Sequence, residues 1–115
     1  MIAEVKKIND VMLVELVGSL DVSLQSDMKD KLSKIFSENQ NGDVVLDFQK
    51  VNFIDSSCLG VLVSLARKLR ETKSDIKLTN LTEDVRSIFQ ITRLDKIFEI
   101  FDKAQEAVNS FYGKP

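Results

Sequence analysis

The chain has 115 residues, enough for one domain with a real hydrophobic core and too few for two. Hydrophobic residues make up 43% and charged residues 30%, which excludes a disordered or membrane-embedded chain, and a formal net charge of −2 argues against a polyanion as the main partner. There is no His and only one Cys, so Cys/His zinc sites, internal disulfides and His-dependent nucleophiles are excluded.

The first two predicted elements are strands joined by a tight turn. Residues 2–8 form a weak strand, and residues 11–17 are rich in β-branched and long apolar side chains that stop at Gly18. This apolar run predicts a strand that is buried on both faces. Asn9 and Asp10 between the strands suit a two-residue hairpin turn, so the pairing is predicted to be antiparallel.

Two strand-and-helix segments follow. Apolar residues recur at spacings of three and four from Leu24 to Phe36, which predicts an amphipathic helix. The helix is predicted to end near residues 39–42 (NQNG), a sequence typical of a helix end. Residues 44–48 then predict a buried strand. A second helix is predicted to start near Ser57, with a solvated face that includes Arg67 and Lys68.

The last part of the chain predicts a strand over residues 76–81, a helix from Thr82 to about Thr92, and a strand over residues 97–101. Thr82 is suited to cap its helix, and Asp102 opens a terminal helix with Gln105 at capping-box spacing. The order β-β-α-β-α-β-α-β-α predicts an α/β fold with a mostly parallel sheet of about five strands and about four helices. We expect one domain over residues 1–115, with a flexible tail of a few residues.

The most informative segment is residues 51–60, where an apolar strand runs directly into Asp55, Ser56 and Ser57 at a helix start. Short polar residues in this position cap the orphan N–H groups of a helix. The same position also presents a hydroxyl rigidly for modification. Phosphorylation adds about −1.5 to −2 charges, and a partner docking there would have to desolvate this charge next to Asp55.

The sequence Asp55 to Gly60 (DSSCLG) resembles the Asp-Ser-Ser/Thr-Gly-Leu-Gly signature of STAS domains, in particular bacterial anti-sigma-factor antagonists. Gly18 to Asp21 is similar to the family's Gly-x-Leu-Asp element. Residues 45–48 are similar to its central strand, and residues 85–98 to its third helix and final strand. The resemblance covers nearly the whole chain, and it implies a STAS-type fold.

The resemblance also implies a function. In such antagonists the first Ser of the signature, here Ser56, is phosphorylated by an anti-sigma factor that is also a serine kinase of the GHKL type. The unmodified form binds this kinase and frees a sigma factor, the phosphorylated form does not bind, and a serine phosphatase resets the switch. The implied docking residues are Asp21 and the signature residues, which are Asp55, Ser56, Ser57, Cys58, Leu59 and Gly60.

Two positions depart from the family pattern. Cys58 stands where the family usually has Gly, and Arg93 stands where Gly commonly precedes a Leu. Cys58 near a helix start is either a redox-sensitive thiol or a small packed residue. The basic residues Arg67, Lys68, Arg70 and Lys73 either contact an acidic partner or a nucleotide or form the solvated face of the second helix.

Several other functions remain as expectations or alternatives. The four glycines form no phosphate-binding loop, no apolar run reaches about 20 residues, and Ser56 has no His base. We therefore expect no catalysis, metal or cofactor, no direct nucleic-acid binding, no membrane insertion and a cytoplasmic location. The alternative is a soluble STAS subunit of a transport or stress-signalling complex, in which the serine is a docking or regulatory residue.

Overall fold

The computed structural model describes residues 1–112. Within that range the chain forms a five-stranded sheet in the order β1-β2-β3-β4-β5, with β1 antiparallel to β2 and the other neighbours parallel. The elements are β1 (Ile2–Ile8), β2 (Val11–Leu20), α1 (Gln25–Glu38), β3 (Val44–Ile54), α2 (Ser56–Glu71), β4 (Ile76–Thr79), α3 (Glu83–Ile91), β5 (Ile100–Phe101) and α4 (Ala104–Ser110). Single 3₁₀ turns at Val22–Leu24 and Leu94–Lys96 precede α1 and β5. The predicted mixed α/β sheet and its element order are confirmed; the predicted tail reaches into residues 113–115, outside the described residues.

The two faces of the sheet are covered unequally. On one face, side chains of α1, α2 and α3 share a large apolar cluster with alternate residues of β3, such as Leu46 and Phe48. Phe48 and Phe89 of α3 pack edge to face with ring centroids 6.1 Å apart. On the opposite face α4 covers only a small cluster of Val11, Val45, Ala107 and Val108.

The prediction that the second strand is buried on both faces and stops at Gly18 is wrong. Val11, Val14 and Leu16 are buried, but the residues between them are only half-buried. Leu13 and Glu15 lie on the face that the seven-residue α4 covers only in part, whereas Met12 packs against the main cluster on the other face. β2 also continues past Gly18, which takes a positive φ of 94° where the register with β3 shifts. Glycine tolerates this conformation, so the strand bends there and runs on to Leu20.

Other predicted boundaries also moved. β3 extends to Ile54, well beyond residue 48, and β4 ends at Thr79. β5 is shorter than residues 97–101 because the turn after Arg93 holds the first of them: the N–H groups of Ile97 and Phe98 both donate to the Leu94 carbonyl, at 2.9 and 3.0 Å.

Of the caps predicted for α3 and α4, only the first forms. The Thr82 hydroxyl accepts a hydrogen bond from the Val85 N–H at 3.4 Å, so the cap of α3 is confirmed. The capping box at Asp102 does not form, because Lys103 takes the cap position of α4 and Gln105 bonds to Asn109 instead. The Asp102 carboxylate accepts a hydrogen bond from Arg86 at 3.4 Å.

Arg93 generates a testable prediction about stability. It follows α3 with φ 62°, a left-handed conformation that costs an L-residue about 1–2 kcal/mol. Arg93→Gly removes this cost but adds about 0.5–1 kcal/mol of chain entropy. We expect the free energy of unfolding, measured by urea denaturation, to rise by about 0.5–1 kcal/mol.

A matched control is Lys68→Gly, at an exposed position inside α2. There glycine gains nothing from its conformational freedom and lowers the free energy of unfolding by about 1 kcal/mol. A loss of stability in both variants would show that the backbone at Arg93 is not strained.

Candidate docking and phosphoacceptor site at the start of helix α2

The site forms where two loops meet at the carboxyl ends of the neighbouring parallel strands β2 and β3. Leu20 and Ile54 are in register at these ends, and the Asp55 N–H donates to the Leu20 carbonyl at 3.0 Å. The Cys58 thiol donates to the Asp21 carbonyl at 3.3 Å. Asp21 and the start of α2 are therefore brought together, as the family resemblance implies.

Asp55 is the cap of α2. Its Oδ1 atom accepts hydrogen bonds from the backbone N–H groups of Ser57 at 3.1 Å and Cys58 at 3.2 Å, and from the Ser57 hydroxyl at 2.5 Å. The hydrogen bond from the Ser57 hydroxyl is the largest cause that lowers the pKa of Asp55, and the backbone bonds add to it against the raising effect of burial. The capping interpretation of this motif is thus confirmed for Asp55.

The two serines have different environments. Ser57 is half-buried and its hydroxyl is engaged by Asp55. Ser56, the first residue of α2, is exposed, and among residues 1–112 no hydrogen bond involves its hydroxyl. Of the two side chains, only that of Ser56 is presented free to a docking partner.

Asp21 caps the 3₁₀ turn that leads to α1. Its Oδ1 atom accepts hydrogen bonds from the N–H of Ser23 at 2.9 Å and from the Ser23 hydroxyl. The next residue, Val22, is a large apolar side chain that is 66% exposed. This loop therefore adds a half-buried carboxylate and an exposed apolar side chain beside Ser56.

An open groove of about 760 Å³ runs along the outer face of α2 from Ser56 towards the 3₁₀ turn at Leu94–Lys96. Leu59, Gly60 and Val63 line its first part, Leu94 forms the opposite wall, and Arg67 and Lys68 line the far end. The sequence predicts a solvated face here and misses Val63 and Leu94 as lining residues. The local pattern holds no signal for the groove, because its wall comes from a turn about 30 residues away.

Gly60 has a specific place in the groove. It is exposed inside α2, and a Cβ atom built on it meets no atom within 4 Å. Neither the fold nor the backbone angle requires glycine at this position. The missing side chain leaves the backbone of α2 open to a close approach.

Cys58 lies below this surface. Its side chain is fully buried, and burial, followed by the charge of Asp55, raises the pKa of the thiol. Both effects disfavour the reactive thiolate, so the structure favours the packed-residue interpretation over redox sensing. Cys58 has no positive φ, which is why Cys is accommodated where the family usually has Gly. Its side chain joins the two loops from beneath and is not presented to a partner.

Two further properties concern metals and membranes. Among residues 1–112 there is no group of three or more His, Cys, Asp or Glu side chains placed to hold a metal ion. No helix in the described part of the chain combines the length and the apolar composition needed to span a bilayer.

The chain belongs to the STAS domain family, whose model matches residues 3–107. An anti-sigma-B factor antagonist from Bacillus subtilis is 29% identical over 105 residues, which cover 91% of this chain and 94% of that protein.

The anti-sigma factor antagonist SpoIIAA in its unphosphorylated form superposes with a TM-score of 0.81 at 22% identity, covering 97% of each chain. The phosphorylated form of SpoIIAA, a Bacillus cell fate determinant, gives 0.71 at 21% identity, covering 94% of this chain and 97% of that one. The murine anion transporter Slc26a9 gives 0.79 at 16% identity, with 95% of this chain matching 19% of that one. At these identities the structural matches show the fold alone.

The cap generates a prediction about acid stability. Because the pKa of Asp55 is lower in the folded chain than its ordinary value of 3.8, ionised Asp55 stabilises the fold above that value. This stabilisation is lost as the pH falls through the lower folded pKa. Asp55→Asn keeps an acceptor for the cap but has no charge to lose. We expect its disadvantage relative to the wild type, measured by urea denaturation, to shrink between about pH 5 and pH 2.

The control variant for this experiment is Asp55→Ala, which removes the acceptor itself and is expected to be less stable than Asp55→Asn at neutral pH. Equal stability of the two variants at neutral pH, or a disadvantage of Asp55→Asn that does not depend on pH, would contradict the assigned cap.

Proposed function

We propose that this chain is an anti-sigma-factor antagonist switched by phosphorylation at Ser56. The observation that carries the proposal is the exposed Ser56 hydroxyl, which has no hydrogen bond within residues 1–112 and lies at the end of a groove on α2. The curated relative that is an anti-sigma-B factor antagonist supports the role, and the existence of SpoIIAA in phosphorylated and unphosphorylated forms supports the switch. The chain acts by binding in the cytoplasm and is not itself an enzyme.

In the unmodified state, an anti-sigma factor that is also a GHKL-type serine kinase docks over Ser56 and along the groove. The partner contacts Gly60 and Val63 on α2. While the anti-sigma factor is bound to this chain, it does not hold its sigma factor, which is therefore free. The kinase supplies the nucleotide and metal for phosphoryl transfer, and a serine phosphatase restores the hydroxyl.

In the modified state, the phosphate at Ser56 adds about −1.5 to −2 charges. A helix N-terminus usually stabilises such a group through its free N–H groups. Here the N–H groups of Ser57 and Cys58 already donate to Asp55, so they are not free for the phosphate. A partner covering Ser56 would have to desolvate a dianion close to a carboxylate, and a loss of about 2.7 kcal/mol already weakens binding about a hundredfold.

The alternative, a STAS subunit of a transport or stress-signalling complex, has the support of the fold alone, through the likeness to part of Slc26a9. Affinity capture of the chain from its native host separates the two functions. Recovery of a serine kinase and anti-sigma factor supports the switch, whereas recovery of permease subunits with Ser56 unmodified supports the alternative.

The switch predicts distinct effects for the two serines. Ser56→Asp is expected to weaken binding to the captured kinase by about a hundredfold or more in calorimetry, because it places a charge where the partner docks. Ser56→Ala is expected to bind but to take no phosphate, and Ser57→Ala is expected to be phosphorylated on Ser56 when the site is located by mass spectrometry.

The control for the added charge is Ser87→Asp, at an exposed position on α3 outside the groove, which should leave binding unchanged. Unchanged affinity of Ser56→Asp, or phosphate located on Ser57, would refute the assignment of Ser56.

Gly60 gives a prediction that separates folding from docking. Gly60→Ala is expected to raise the free energy of unfolding by about 0.5–1 kcal/mol, because alanine favours a helix interior and its methyl group meets no neighbour. The same methyl group lies in the groove where the partner is proposed to approach the backbone of α2, so the affinity of the variant for the kinase is expected to fall. Calorimetry and urea denaturation on the same variant measure both effects.

Ser87→Ala serves as the matched control, because it also places alanine on an exposed helix surface but outside the groove. A more stable Gly60→Ala variant with unchanged affinity would show that the partner does not approach the backbone of α2.

A further inference from the structure

A lysine on the central part of the sheet is buried beneath the last helix. Lys77 lies on β4, and its side chain is 1% exposed. Its ammonium group donates to the Ser110 hydroxyl of α4 at 2.6 Å and lies 4.1 Å from the centroid of the Phe111 ring. The charged group facing it is the Glu99 carboxylate at 3.5 Å, on a side chain that is 62% exposed. The proposed function makes no use of this lysine.

These contacts compensate the buried charge only in part. An ammonium group has three protons to donate, and taking it out of water is costly unless each is satisfied. The Ser110 hydroxyl also donates to the Ala107 carbonyl, and Glu99 is largely in solvent, where ion pairs contribute little. The aromatic contacts with Phe111 and Phe101 add attraction without replacing water at the protons.

A second buried polar group on the same face of β4 has no hydrogen-bond partner within residues 1–112. Thr79 lies two residues from Lys77, so both side chains point to one face of the strand. Thr79 is fully buried, and its hydroxyl has no hydrogen-bond partner within residues 1–112. Both groups would gain hydrogen bonds from water if this face of the sheet were uncovered.

The element that covers this face is weakly held. α4 has seven residues and no side-chain cap, and a helix of this length is unstable without its packing. Its apolar contacts form a cluster separate from the main core. Beyond α4, the Tyr112 hydroxyl accepts a hydrogen bond from the Asp10 N–H at 2.9 Å and fastens the chain to the β1–β2 turn.

We propose that α4 with Phe111 and Tyr112 is a releasable cover, and that the buried charge of Lys77 favours its release. Opening at Asp102 and Lys103 returns water to the ammonium group, and to the Thr79 hydroxyl, while the main core on the other face stays packed. The lysine therefore lowers the population of the closed state instead of anchoring the helix. This inference concerns the face opposite α2 and does not depend on the proposed function of Ser56.

Native-state hydrogen exchange of the full chain, followed by mass spectrometry, tests the proposal. In the wild type, the hydrogen-bonded amides of residues 107–110 are expected to exchange at least about a hundredfold faster than those of residues 44–48, through local opening. Lys77→Met keeps an unbranched side chain that is one atom shorter and removes its charge. We expect this variant to slow exchange in residues 107–110 by about tenfold or more, with residues 59–66 of α2 as the internal control.

Thr79→Val is the second variant, because it replaces the hydroxyl with a methyl group and keeps the branched shape of the side chain. It is expected to slow exchange of α4 by a smaller factor of about threefold. Exchange of residues 107–110 only at the rate of global unfolding would overturn the proposal. Faster exchange of α4 in Lys77→Met, or loss of folding in that variant, would show that Lys77 is an anchor and would overturn it as well.

Discussion

The hydrogen bonds of the Asp55 carboxylate set the arrangement of the site. One oxygen atom holds the N–H groups of Ser57 and Cys58 together with the Ser57 hydroxyl, which fixes where α2 starts and leaves Ser56 as its first, exposed residue. The same bonds engage two of the N–H groups with which a helix N-terminus would otherwise stabilise an anion, those of Ser57 and Cys58. This ordinary capping interaction therefore determines which serine hydroxyl is free. It also determines how well the start of α2 can stabilise a negative charge on that serine.

The two departures from the family sequence pattern have different physical explanations. Cys58 lies inside the first turn of α2 with ordinary backbone angles, and its thiol bonds to the Asp21 carbonyl, so the side chain adds a link between the loops of the site. Arg93 takes a left-handed conformation at the end of α3, which is the conformation in which glycine is favoured. The first departure is accommodated without strain. The second is expected to cost stability, and it lies between Thr92 and Leu94, which line the groove.

The two faces of the sheet differ in how completely they are packed. One face is packed by α1, α2 and α3 into a single apolar core, which holds the ends of β2 and β3 in a fixed position and so presents Ser56 rigidly. The other face carries a short helix over a buried lysine and an unsatisfied threonine. Rigid presentation of a docking site and local opening can coexist in a small domain when they rely on separate clusters.

The sequence by itself determined the type and order of the elements, the cap at Thr82 and a cap among residues 55–57, and the family resemblance implied that Asp21 lies near the start of α2. The elements and the caps depend on local patterns of polar and apolar residues. Only the tertiary structure decided the extent of β3 and β5, the free state of Ser56 against the bonded state of Ser57, the wall that Leu94 adds to the groove, and the burial of Lys77. Each of these depends on contacts between residues far apart in the chain, and a local pattern of polar and apolar side chains does not encode which distant surface will cover it.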